Sequence, residues 1–132
     1  MIKHEYIHEG IFEFEAGGSI TGLKVAYHTS ERGWQKGDGR KVIWICHALT
    51  ANSDAQDWWP ELVGPGKLFD TEKYFVVCAN MLGSPYGSSG PSTINPDTGK
   101  PYFLDFPRIT ARDTVKANDL VRAHLGTEKI AF

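Results

Sequence analysis

The sequence predicts an α/β domain in which an antiparallel pair leads into parallel strands covered on both faces. Three observations carry this. Val42-Ile43-Trp44-Ile45-Cys46 and Tyr74-Phe75-Val76-Val77-Cys78-Ala79 are apolar at every position, the pattern of strands buried on two sides. Residues 47–73 separate them, enough chain for the crossover that parallel neighbours need. Upstream of both runs, apolar and polar residues alternate instead, as in a sheet with one wet face.

Taken in order, Ile11-Phe12-Glu13-Phe14-Glu15 puts its phenylalanines on one side and its glutamates on the other. Beyond the Gly17-Gly18 turn, Leu23, Val25 and Tyr27 keep the period of two, so these segments form the antiparallel pair. The polar loop 31–39 then leads to the first buried strand. Trp58 to Leu62 supplies a short helical piece of the crossover. After the second buried strand comes a long Gly, Ser and Pro loop, 83–107. Thr110 and Asp113 then form a capping-box-like start, Val115, Leu120, Val121 and Leu125 an apolar stripe, and Gly126 a stop, which together predict a helix. Lys129-Ile130-Ala131-Phe132 begins a further apolar strand. A sheet interrupted in such a run lacks a central member, so residues 1–132 are expected to be the N-terminal portion of a single larger domain, with no internal boundary.

Composition narrows the function classes. With 41% hydrophobic and 23% charged residues, the chain has the make-up of a folded domain rather than a disordered one. Fourteen basic against 16 acidic side chains give a formal charge of -2, with no basic stripe, so nucleic acid is not an expected partner. The first residues hold no apolar signal-peptide core and no run is long enough for a membrane span, so a cytoplasmic protein is expected. Cys46 and Cys78 both lie in apolar runs, which predicts two buried free thiols rather than a disulfide.

Several motifs point to chemistry and most lose to simpler readings. His4-Glu5-Tyr6-Ile7-His8 fits the zinc-protease pattern H-E-x-x-H, but Gly10 follows at once and leaves no room for the helix that would aim both imidazoles at one ion. The other histidines lack paired spacing, so no metal is implied. Gly83 to Pro91 is glycine-rich yet has no P-loop lysine, and it does not fit the nucleophile elbow G-x-S-x-G, because Ser84 stands second and Gly87 to Gly90 is a residue too short. Ser84, Ser88 and Ser89 are expected to hydrogen-bond within a turn. Trp44, Trp58 and Trp59 are expected to pack rather than stack on a ligand, and Asp113 to cap its helix. His47-Ala48-Leu49-Thr50-Ala51-Asn52-Ser53 follows the first buried strand directly. Backbone N–H groups exposed where a strand ends can meet negative charge developing on a carbonyl oxygen.

That loop is followed at set spacings by Gly64-Pro65-Gly66-Lys67-Leu68-Phe69-Asp70-Thr71, by Asn80-Met81-Leu82-Gly83 through Gly87-Ser88-Ser89-Gly90-Pro91-Ser92-Thr93-Ile94-Asn95-Pro96, and by Asp105-Phe106-Pro107 and Thr110-Ala111-Arg112-Asp113. At these spacings the chain resembles homoserine O-acetyltransferases of the α/β-hydrolase-fold family, from about residue 10 onward and over roughly the first third of a typical member. The resemblance implies transfer of acetyl from acetyl-CoA, a co-substrate rather than a resident cofactor, to the L-homoserine hydroxyl through an acyl-serine, a step of methionine biosynthesis. It implies a homodimer when complete and makes the Leu49 backbone N–H one oxyanion donor. Thr50 and Asn52 on the same loop are the candidate substrate contacts. Serine, aspartate and histidine of the triad match nothing here, because the elbow follows the strand that Ile130 begins, so the 132-residue chain alone is expected to be inactive. Ala51 stands where the family usually has glycine, and Ser84-Pro85-Tyr86 also departs from its commoner form. Homoserine succinyltransferase, serine acyltransferase and an esterase of the same fold are the alternatives, with a non-catalytic partner-binding module as the reading from another class.

Overall fold

The computed structural model describes residues 1–35 and 37–132. Its elements are β1 (Ile2–Glu13), β2 (Ser19–Thr29), β3 (Lys41–Ile45), α1 (Ala55–Trp58), β4 (Tyr74–Ala79), a single 3-10 turn at Phe103–Asp105, and α2 (Ala111–His124). The sheet runs β1-β2-β4-β3. β1 and β2 pair antiparallel, β2 pairs antiparallel with β4, and β3 and β4 pair parallel from Lys41↔Tyr74 to Ile45↔Cys78. The mixed sheet with its right-sized crossover is the N-terminal part of an α/β-hydrolase fold.

Strand alternation divides the core between the two faces. Phe75, Val77 and Ala79 of β4 point with Val42, Leu23, Val25 and Tyr27 into the larger cluster, which α2 closes through Ala117 and Val121. Val76 and Cys78 point the other way, with Ile43, Ile45, Ala55 and Val63. β4 is buried along nearly its whole length because it has a strand on each side and a packed layer on each face.

Four details differ from the sequence reading. β1 starts at Ile2, not Ile11, and carries an irregularity between His8 and Ile11. The crossover helix lies at Ala55–Trp58 rather than Trp58 to Leu62, where Leu62 and Val63 instead donate back to the Trp59 carbonyl as turns. In α2 Leu120, Val121 and Leu125 pack on the core as the stripe predicts, but the fully buried positions are Asp113, Ala117 and Val121, four apart, and Val115 is two residues out of phase and 67% exposed. Residues 129–132 adopt no regular strand, yet the Ala131 N–H donates to the Val42 carbonyl and the Trp44 N–H to the Phe132 carbonyl, both at 2.9 Å. They lie along β3 in its own direction.

The helix start is built as the sequence indicates. Thr110 and Asp113 form a reciprocal capping box. Asp113 also accepts from the Glu15 N–H at 2.9 Å, tying α2 to the β1–β2 hairpin. Burial alone would raise the Asp113 pKa, but the N–H groups of Thr110 and Glu15 and the Thr110 hydroxyl outweigh it and hold the carboxyl below its ordinary value.

Candidate active site

The carboxyl ends of β3 and β4 lie side by side, and the chain leaves each through a polar loop. This end of a parallel sheet is where α/β proteins gather their chemistry. The β3 loop makes a tight turn, with the Ala51 N–H donating to the Ala48 carbonyl at 3.0 Å. Leu49 and Thr50 occupy its tip, and Leu49 is 93% exposed. Among the described residues the Leu49 N–H meets no hydrogen-bond acceptor. Ala51 does not have positive φ, so the backbone here accepts a side chain without strain.

Both ends of this turn are anchored to β4's end. His47 is 3% exposed. Its Nδ1 lies 2.9 Å from the Ala48 carbonyl and its Nε2 3.2 Å from the Met81 N. A carbonyl can only accept and an amide N–H can only donate, so His47 is neutral with its proton on Nδ1. At the other end the Ser53 N–H donates to Asn80 Oδ1 at 2.8 Å. Asn80 Nδ2 donates to Ser53 Oγ at 2.8 Å and to the Tyr86 carbonyl at 3.1 Å. Ser53 Oγ lies 2.7 Å from His28 Nδ1. Asn52 folds back locally, accepting from the Asp54 N–H at 2.7 Å with its side chain and from Trp58 Nε1 at 2.9 Å with its carbonyl.

Beside these anchors is an open cleft of about 490 Å³, lined by Lys3, His28, Asn52, Asp54, Asp57 and Tyr86 among others. Burial lowers the His28 pKa, and the Asp54 carboxylate, 3.8 Å from Nε2, opposes that shift without cancelling it. Of the residues singled out from sequence, Leu49 and Thr50 therefore sit together at the turn tip, and Asn52 faces the cleft.

The serines of the following loop do structural work. Ser88 Oγ donates to the Asn80 carbonyl at 3.0 Å and accepts from the Ala26 N–H at 3.1 Å, and Ser89 Oγ accepts from the Lys24 N–H at 2.8 Å. They bridge to β2 instead of closing a local turn, which only Ser84 does, through the Tyr86 N–H. Ser53 is fully buried.

The zinc-like motif lies on β1, where His4 contacts Thr29 Oγ1 and His8 contacts the Tyr6 hydroxyl. Four residues along a strand span about 13 Å, too far for two ligands of one ion. Among the described residues no three His, Cys, Asp or Glu side chains gather as a metal site, and no helix is long and apolar enough to cross a membrane. Both cysteines are free, but Cys46 is exposed because it lies just past the end of β3, contrary to the expectation of two buried thiols. Burial pushes the Cys78 thiol up to about 12.

No family model matches the chain. A homoserine O-acetyltransferase of Chlorobaculum parvum is 49% identical over 121 residues, 90% of this chain and 33% of that protein. Among solved structures, homoserine O-acetyltransferase from Bacillus anthracis aligns with a TM-score of 0.82 and 32% identity over 98% of this chain and 38% of its own. Esterase E22 gives the same TM-score and identity, covering 98% of this chain and 39% of its own. The chain spans about a third of the length of the curated relatives it matches. By sequence and by fold the chain is therefore similar to about a third of a homoserine O-acetyltransferase and matches the corresponding part of an α/β-hydrolase fold.

Proposed function

We propose that the chain supplies the oxyanion-binding part of an enzyme that transfers acetyl from acetyl-CoA to the hydroxyl of L-homoserine through an acyl-serine. One observation carries this reading: at Leu49, an exposed residue on an anchored turn at the carboxyl end of a parallel strand, the backbone N–H has no acceptor among the described residues, in a chain 49% identical to a homoserine O-acetyltransferase. A backbone N–H fixed in place stabilises an oxyanion in both halves of a double displacement, when the serine acquires the acetyl group and when the acceptor hydroxyl removes it. Thr50, beside Leu49 at the turn tip, and Asn52, which lines the cleft, are the substrate contacts in this reading.

Ser53, Ser88 and Ser89 are buried and bonded into the scaffold, so none is offered as the nucleophile. In this reading the serine, its histidine and its acid belong to the part of the relatives' length that the chain does not span. The complete enzyme is a cytoplasmic homodimer taking part in methionine biosynthesis.

The test is CoA release from acetyl-CoA with and without L-homoserine. Protein from the native source is expected to depend on homoserine, and Leu49→Pro, which deletes the N–H, to lower kcat by about 10²- to 10³-fold. Leu49→Ala retains the N–H and is the control. The 132-residue chain alone is expected to be inactive; turnover by it clearly above its own Leu49→Pro variant would overturn the assignment of the nucleophile elsewhere. The equal likeness to an esterase favours one second reading, hydrolysis by the same acyl-enzyme. Release of acetate that added homoserine does not suppress would select it. Comparing succinyl-CoA with acetyl-CoA, and serine with homoserine, fixes donor and acceptor.

A further inference from the structure

We propose that Asn80-Met81 at the end of β4, acting with the neutral imidazoles of His28 and His47, forms a two-point clamp that holds the β3-end turn and aims the Leu49 N–H. The role in aiming that donor rests on the acyl-transfer reading above; the clamp does not.

The directions of its hydrogen bonds are determined by groups that have no choice, except at the Ser53 hydroxyl, whose burial requires an acceptor for its proton. Asn80 Oδ1 must accept, because it faces the Ser53 N–H, and Nδ2 must donate, because it faces the Tyr86 carbonyl. Nδ2 therefore also donates to Ser53 Oγ. Among the described residues the acceptor left for the Ser53 hydroxyl proton is His28 Nδ1, at 2.7 Å, so His28 carries its proton on Nε2. The Met81 N–H in the same way requires His47 Nε2 to be bare.

The two imidazoles thus hold opposite tautomers, and each presents a lone pair to a donor, the buried Ser53 hydroxyl and the half-buried Met81 N–H. Protonation of His47 would set a second N–H against the Met81 N–H at hydrogen-bond distance, and protonation of His28 would take from the buried Ser53 hydroxyl the acceptor for its proton. His28 is surrounded by Asp54 from the start of α1 and by the N-terminal ammonium, Lys3 and His4 from the β1 side, the three cationic or titratable neighbours all disfavouring a second positive charge. Burial acts in the same direction. A folded pKa held below the ordinary 6.5 means the unfolded chain takes up the proton first. The contribution to stability is therefore fully present above about 6.5 and is lost as pH falls through the folded value.

The decisive experiment on the chain combines long-range imidazole ¹⁵N NMR with amide hydrogen exchange at Ser53 and Met81. The expected spectra show His28 protonated on Nε2 and His47 on Nδ1 at pH 8. Ser53 should exchange at least tenfold faster in His28→Leu, whereas His28→Asn, whose amide oxygen can replace Nδ1 but does not titrate, should keep Ser53 protected to pH 5. A His28 protonated on Nδ1 at pH 8, or Ser53 exchange equal in all three proteins, overturns the clamp. In the acetyl-transfer assay on the native-source protein, His28→Leu should reduce kcat at least tenfold with KM within twofold, and His28→Asn should restore kcat and remove the acid limb of its pH profile. Unchanged kcat in an active protein overturns the aiming role. Absence of turnover in the unmutated protein defeats the acyl-transfer reading instead, while exchange still decides the clamp.

Discussion

Asn80 shows how much one buried polar side chain can organise. It is 2% exposed and uses both ends of its amide, together with its backbone N–H and carbonyl, on three segments: the loop after β3, strand β2 and the loop after β4. Nothing in the order of residues around Asn80 indicates that its partner is Ser53, because that contact is made by two strand ends brought together across a parallel pair. The cysteines make the same point in reverse. Both lie in apolar runs, yet strand β3 stops at Ile45 and leaves Cys46 outside, whereas Cys78 is fully buried with its thiol pushed up to about 12. A thiolate is the reactive form, so a native chain titrated with a disulfide reagent at pH 8 should yield one rapid thiol, and two after denaturation. Cys46→Ser should abolish the rapid phase; a rapid phase that survives it would refute this assignment.

At the level of elements, the glycine-rich loop after β4 takes its shape from a close backbone approach rather than from phosphate binding. The Gly83 N–H donates to the Ser89 carbonyl at 2.8 Å, and a Cβ on Gly90 would stand 2.8 Å from the Gly83 Cα. Backbone on both sides cannot give way cheaply. Gly90→Ala is expected to destabilise the fold by about 1–3 kcal/mol through overpacking, measured as a lower urea midpoint. Gly33→Ala, where a Cβ would meet nothing within 4 Å, is the control and should shift stability by less than about 0.5 kcal/mol. Elements whose evidence is local were legible in the sequence: the capping box at Thr110 and Asp113, the stop at Gly126, and the two apolar strands. The phase of α2 was legible in part: Leu120, Val121 and Leu125 pack on the core as the stripe indicates, but the four-residue spacing of Asp113, Ala117 and Val121 includes an aspartate that is buried only because it caps its own helix and also accepts from Glu15 across the molecule.

For the whole molecule, the two core layers share a single sheet, and alternate residues of β4 belong to different layers. Loss of β4 removes support from both, so the layers should unfold together. Trp34 stacks on Phe75 on one face, 5.2 Å between ring centres, and Trp58 packs on the other. Urea unfolding followed by fluorescence of Trp34-only and Trp58-only variants and by far-UV circular dichroism should give coincident transitions; midpoints that separate by face would show two independent layers. By itself the sequence determined the fold class, the parallel pair, the capped helix and the family likeness, because these are written in periodicity, capping chemistry and spaced motifs along the chain. Only the tertiary structure decided that Leu49 stands on a turn anchored at both ends, that Ser88 and Ser89 bridge to β2, and that His28 meets Ser53 while His47 meets the Met81 N–H. Those facts depend on which donors and acceptors meet once distant segments are packed against one sheet, and hydrogen-bond partners chosen by burial leave no periodic trace in the order of residues.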